Sequence, residues 1–205
     1  FFGNLATRMT LINADEWCPT AATDGRNFYY NSRFIMLLKK KEVEFLVGHE
    51  VLHVVYDHMD RRGTRDPQLW NIADDYCVNA DLKKHKVGEF ITTVPCLYDY
   101  KYENMAAEQV YDILYENAEV INVEDLIDQL LDDHLDGDGE GAGSKDGEDG
   151  KGEGKGPAKM SQEEKDQLKQ EIKEAIISAA QGTEPGSLPK GVERMIKDMT
   201  APVMD

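Results

Sequence analysis

The chain has 205 residues, 40 of them acidic against 23 lysines and arginines, for a net charge of −17. That balance excludes binding of nucleic acid through a broad basic face, because neutralising phosphates needs clustered cations. The length supports one compact domain plus a tail, no apolar run is long enough to span a membrane as a helix, and Cys18, Cys77 and Cys96, odd in number and without C-x-x-C spacing, point to reduced thiols in a cytoplasmic setting.

The first predicted element is a hairpin. Thr20-Ala21-Ala22-Thr23 and Asn27-Phe28-Tyr29-Tyr30 flank Asp24-Gly25, a turn pair typical of tight antiparallel connections. Such a hairpin either covers the core or offers an unpaired edge that holds an extended peptide by main-chain hydrogen bonds. Arg26, Tyr29 and Tyr30 are candidates for contact with that peptide.

From Arg33 to Arg62 no proline interrupts a strongly apolar run, which predicts a long and largely buried helix. Inside it lies His49-Glu50-Val51-Leu52-His53, the pattern H-E-x-x-H. Residues four apart on a helix are offset by roughly 40° and about 6 Å along the axis, so both imidazoles lean toward one point. Catalytic zinc sites take three protein ligands, and the carboxylate of Glu50 can act as general base toward an attacking water. A metal also explains two buried histidines and a buried acid more simply than three separate hydrogen-bond solutions would. Gly48 costs about 1 kcal/mol of helix stability relative to alanine, and its missing side chain leaves room for another backbone near the site.

After the short loop Arg62-Gly63-Thr64-Arg65, Asp66-Pro67 reads as an N-cap with proline in the first turn, opening a helix through about Leu82. Leu69, Ile72, Ala73, Tyr76 and Leu82 mark its apolar stripe, with Asp75 and Asn79 aligned four apart near the edge. An acid on a following helix completes a site of the His, His, acid type. Asp75 is the expected third ligand, with Asn79 orienting a ligand from behind. Asp74 differs from Asp75 only in helix phase. His58 is the other alternative: on a continuous helix it is rotated roughly 140° from His53 and faces away, as a surface or helix-end histidine, and no glycine precedes it to permit a sharp turn.

Farther on, Ala106 to Tyr115 predicts an amphipathic helix, and Asn122 caps another from Val123 to Leu131. Asp136 to Gly156 holds almost nothing apolar and is expected to be a flexible linker. Its start, Asp136-Gly137-Asp138-Gly139-Glu140-Gly141, resembles a calcium loop only superficially, since the twelfth position is Gly147. Ser161-Gln162-Glu163-Glu164 is a capping box starting a helix that ends near Gln181-Gly182, and Lys190 to Met199 predicts a shorter one.

Several short motifs in order carry a resemblance to a known family. They are Pro19 to Arg26 with Tyr29-Tyr30-Asn31, His49 to His53 with His58, Arg65-Asp66-Pro67, Trp70-Asn71-Ile72-Ala73, and Asp75-Tyr76 with Asn79. Weaker matches lie at Gly186-Ser187-Leu188-Pro189 and Ala201-Pro202-Val203-Met204-Asp205. Together they resemble the metallopeptidase domain that usually precedes a von Willebrand factor A-like domain in bacterial and phage proteins. The resemblance covers most of the chain outside the glycine-rich stretch. It implies a hydrolase of the zincin-like H-E-x-x-H type, with one Zn2+ ion on His49, His53 and Asp75 and with Glu50 as general base. It also implies a peptide or protein substrate, a MoxR-type AAA+ ATPase as partner, and a von Willebrand-like half expected beyond Asp205. A metal-stabilised adaptor module working with that ATPase is the alternative function.

The expected architecture is therefore α+β and mainly helical, with a small N-terminal hairpin or sheet packed on the H-E-x-x-H helix and a second ligand-bearing helix. Residues 1–135 form the zincin-like domain, 136–160 the linker and 161–205 a C-terminal helical segment.

Overall fold

Three short strands and a set of helices make up the computed structural model, which describes residues 1–118, 120–131, 159–184 and 186–201. The chain opens with α1 (Phe2–Ala6), then β1 (Thr10–Asn13), β2 (Ala21–Thr23) and β3 (Asn27–Tyr30). The hairpin expected around Asp24-Gly25 is present: β2 pairs antiparallel with β3, Ala22 opposite Tyr29. Asp24 fixes the turn by accepting hydrogen bonds from Arg26 N and Asn27 N, and Gly25 takes a φ of +89°, which suits a residue without Cβ. The third strand, β1, joins β3 in parallel with Leu11 beside Phe28, leaving β2 at one edge of the order β1-β3-β2. The strand β1 is exposed at three of its four positions and carries no inside–outside alternation, so periodicity did not reveal it.

The run from Arg33 to Arg62 is three helices rather than one: α2 (Ser32–Leu37), α3 (Lys40–Val55) and α4 (His58–Arg61). Asn31 caps α2 by accepting from Phe34 N. At Leu38 and Lys39 the backbone turns extended, and Glu42 reaches back to accept from Lys39 N at 2.7 Å, so α3 starts afresh. The second break is at Asp57, which adopts the left-handed conformation at φ +52° that aspartate tolerates better than most residues. Carbonyls freed there are taken up locally: Arg61 Nη1 donates to Tyr56 O and Trp70 Nε1 to His58 O, at 2.8 and 2.9 Å.

The helix α5 (Pro67–Lys84) begins as expected, with Asp66 Oδ1 accepting from Leu69 N and proline in the first turn. It lies between two apolar clusters and is buried on both faces. Val78 and Leu82 join Phe45, Leu46, Leu52, Phe28 and Ile176 on one side. Leu69, Trp70, Ile72 and Ala73 join Val110, Tyr111 and Leu114 of α6 (Ala107–Glu116) on the other. Full burial of one such side chain contributes about 1.5–3 kcal/mol. Between α5 and α6 runs a loop with a short 3-10 turn, Tyr100–Tyr102.

The loop crosses the start of α3, where Gly88 is pressed so close that a Cβ would lie 2.4 Å from both Lys41 O and Phe45 N. Gly48 is closed in by side chains rather than by backbone. Leu82 and Val87 approach to 2.8 and 2.9 Å of where its Cβ would be.

Asn122 caps α7 (Val123–Ile127), which ends four residues earlier than the sequence suggests. The proposed linker at 136–156 and its calcium-like start lie outside the described residues. The Ser161 capping box opens α8 (Gln162–Gln181), and α9 (Lys190–Thr200) follows. Ala175, Ile176, Ala179 and Val192 of these helices enter the same cluster as α3. The result is a mixed α+β, mainly helical protein, and no described helix is long and apolar enough to cross a membrane.

Candidate metal centre

His49, Glu50 and His53 sit in the last two turns of α3, and all are buried at 3% exposure or less. The helical spacing brings the two rings face to edge with Nε2 atoms 3.0 Å apart. Packing of α5 against α3 adds Asp75, wholly buried, whose Oδ1 lies 3.5 Å from each Nε2. Those three atoms lie within 4.8 Å of one another. A tetrahedral ion with ligand bonds of about 2.0–2.1 Å spaces its donors by roughly 3.3–3.4 Å, which the observed triangle matches closely. Two neutral nitrogens and one carboxylate oxygen, shielded from water, also make a chemically suitable donor set. The residues present therefore fit a divalent ion.

A polar frame behind the triangle fixes its orientation. Asn79, one turn beyond Asp75, places Oδ1 2.9 Å from His49 Nδ1 and uses its amide nitrogen to donate to Leu97 O at 2.9 Å. That second bond sets which way the amide faces. Its oxygen can only accept, so His49 carries its proton on Nδ1 and presents a lone pair at Nε2. Sequence phase pointed to Asn79. Nothing in the sequence pointed to Leu97, whose contribution is a backbone carbonyl.

His58 is where the structure departs most from the sequence reading. It is 3% exposed rather than a surface residue, because the left-handed turn at Asp57 swings it back toward α3. Its Nδ1 lies 3.0 Å from His53 Nδ1, on the opposite side of that ring from the His49 contact, and 3.5 Å from Asp74 Oδ1. Adjacent acids on α5 thus address different histidines, Asp75 the pair on α3 and Asp74 His58. His53, His58 and Asp74 form a second compact cluster of possible donors, and His53 is common to both.

Three carboxyls and three imidazoles consequently share one buried polar island between two apolar cores. A cation held among them would offset the cost of burying carboxylates so close together. A cavity of about 300 Å³ reaches His58 from the far side, between Tyr56, Arg61, Asp81 and Arg194. It does not reach His49, Glu50 or Asp75. On its wall, burial holds the carboxyl of Asp81 above the usual range although Tyr56 Oη donates to it at 2.5 Å.

The centre is met from another direction by Leu131, to which no motif or spacing pointed. Its backbone N–H donates to Asp75 Oδ2 at 3.3 Å, and its carbonyl accepts from Thr20 Oγ1 at 2.9 Å. Of the other candidates on the hairpin, Tyr29 Oη donates to Asp24, and burial first, then that carboxylate, holds its phenol well above the usual range. Arg26 is paired at 4.0 Å with Glu171 of α8. The three cysteines form no disulfide among the described residues, and burial pushes the Cys96 thiol up to about 11.

The model of the family described as "Putative metallopeptidase domain" matches residues 1–205. No curated protein and no solved structure matches the chain.

Proposed function

This chain belongs to the putative metallopeptidase domain family, and we propose that it is a zinc-dependent peptidase of zincin-like architecture whose general base is Glu50. The observation that carries the reading is the buried triangle of His49, His53 and Asp75, with Glu50 next in sequence to the first histidine. In this reading those three residues hold one Zn2+ ion. When bound, the ion supplies Lewis acidity that activates water and polarises a peptide carbonyl. Glu50 takes the proton from the attacking water and returns it to the departing amine nitrogen as the C–N bond breaks. Asn79 holds His49 in its ligand tautomer, and His58 does the same for His53 by accepting from its Nδ1–H.

The test is metal content. Chain purified with zinc should hold one ion, and His49→Ala should hold almost none; unchanged content in that variant would sink the reading.

A second reading, a metal-stabilised adaptor, is favoured by the near-complete burial of the centre. It has no use for a general base, and it would normally supply four protein ligands. In either reading we place the protein in the cytoplasm, beside a MoxR-type AAA+ ATPase and a von Willebrand-like domain. Residues 1–135 would act as the catalytic body, 136–160 as a linker and 161–205 as the segment leading onward.

A further inference from the structure

A peptidase centre with His49, Glu50 and Asp75 at 0% exposure admits no substrate carbonyl, so whatever covers it must be able to leave. One candidate is the stretch 128–131. Leu131 is held through its main chain on both sides: its N–H donates to the ligand carboxylate Asp75, and its C=O accepts from Thr20. Thr20 immediately precedes β2, the edge strand, all three residues of which are buried against the core. Both partners are side chains, Asp75 Oδ2 and Thr20 Oγ1, but what they grip is main chain, so the hold does not depend on which side chain stands at that position. The Leu131 side chain, 1% exposed, enters the cluster that contains Val51 and Leu52 of α3, both within the H-E-x-x-H motif.

What precedes Leu131 is only partly buried: Val123, Leu126, Ile127 and Leu130 pack against the α5–α6 cluster, and none of them is fully enclosed. The helix α7 has no buried residue, and the chain leaves helical geometry after Ile127 to make the Leu131 contacts. An element whose apolar side chains stay partly exposed opens at lower cost than the fully buried core. The segment therefore combines one fully buried residue, Leu131, with an approach that is only partly buried, which suits an occupant that can be displaced.

We propose that Leu131 occupies the cleft where substrate binds, so that the protein inhibits itself until an extended peptide carrying a large aliphatic side chain takes that place. This rests on the peptidase reading of the centre. The groups that hold Leu131 are then the ones that would hold the substrate: Asp75 and Thr20 for its main chain, and the apolar cluster that includes Val51 and Leu52 for its side chain.

The test measures access to the centre rather than turnover. Full chain loaded with zinc is mixed with the chelator 4-(2-pyridylazo)resorcinol, and zinc transfer is timed for wild type, Leu131→Ala and Thr20→Val. Both variants should transfer zinc faster, Leu131→Ala by about tenfold or more. The peptide Leu126-Ile127-Asp128-Gln129-Leu130-Leu131, added in trans, should slow it again. Thr20→Val removes one hydrogen bond while keeping side-chain volume, so it reports on the contact even if Leu131→Ala unfolds.

Unchanged transfer in a folded Thr20→Val chain overturns the proposal. So does faster transfer that the peptide does not slow, which marks Leu131 as a permanent part of the core. If wild type binds no zinc, the peptidase reading fails by itself. Acylation of His49 and His53 by diethyl pyrocarbonate then reads the same opening, and equal labelling in wild type and variants overturns the occupant role.

Discussion

His53 Nδ1 lies 3.0 Å from His58 Nδ1, so one of the two rings must donate and the other accept. With His53 presenting its Nε2 lone pair to an ion, its proton sits on Nδ1 and His58 is the acceptor. In the proposed zinc site His58 would thereby orient a ligand without being one. Asp75 has the opposite standing, with Oδ1 3.5 Å from both Nε2 atoms. Asp75→Ala should therefore lose most of the bound zinc, and His58→Ala should weaken affinity by about 10–100-fold. Competition with a zinc chelator of known affinity gives both values. The reverse order would move the ion to the cluster of His53, His58 and Asp74.

Asn79→Ala removes the acceptor that fixes the His49 tautomer while leaving all three ligands in place. Zinc affinity should fall about 10–100-fold, and the pH at which half the metal is lost should rise. Equal affinity across pH in wild type and variant would show that the amide has no part in holding the ligand.

Glu42 gives a pH signature away from the centre. It accepts from Lys39 N, Thr92 Oγ1 and Thr92 N, and these bonds, the Lys39 one foremost, hold its carboxyl below the usual range against the opposing effect of burial. A depressed value in the folded chain means that the ionised form stabilises it. That contribution is full above the carboxyl's ordinary value and is lost as pH falls through the lowered one. Wild type should melt at a higher temperature than Glu42→Gln at neutral pH, and the gap should close on acidification. A gap independent of pH would contradict the assignment.

Much of the candidate centre was legible because helical spacing aligns His49 with His53 and the Asp66-Pro67 start sets the phase of Asp75 and Asn79. His58 was misplaced because the reading assumed a continuous helix. The break depends on a left-handed aspartate and on carbonyls captured by Arg61 and Trp70, and neither follows from local sequence. Leu131 was invisible for a related reason. Its segment reads as helix, and only the tertiary bonds to Asp75 and Thr20 draw it out of one. The parallel pairing of β1 with β3 joins residues that share no pattern in the sequence, and it skips over the intervening strand β2.

Gly88 tests the packing of the loop over α3. Its φ of +66° and the 2.4 Å approaches to backbone atoms leave no room for a methyl group. Gly88→Ala should cost about 2–5 kcal/mol, seen in urea as a lower unfolding midpoint with little change in slope. A midpoint equal to wild type would mean that the loop sits farther from Lys41 and Phe45.

Glu50 is proposed to be the base of a peptidase. The most direct measurement is the hydrolysis rate of an unstructured polypeptide by Glu50→Gln and by wild type at equal zinc content. Glutamine keeps the size and hydrogen-bonding capacity of the side chain but cannot take up a proton near neutral pH. Zinc occupancy should be full in both proteins, and the rate about 10²–10⁴-fold lower in Glu50→Gln. Equal rates at equal zinc content would contradict that role.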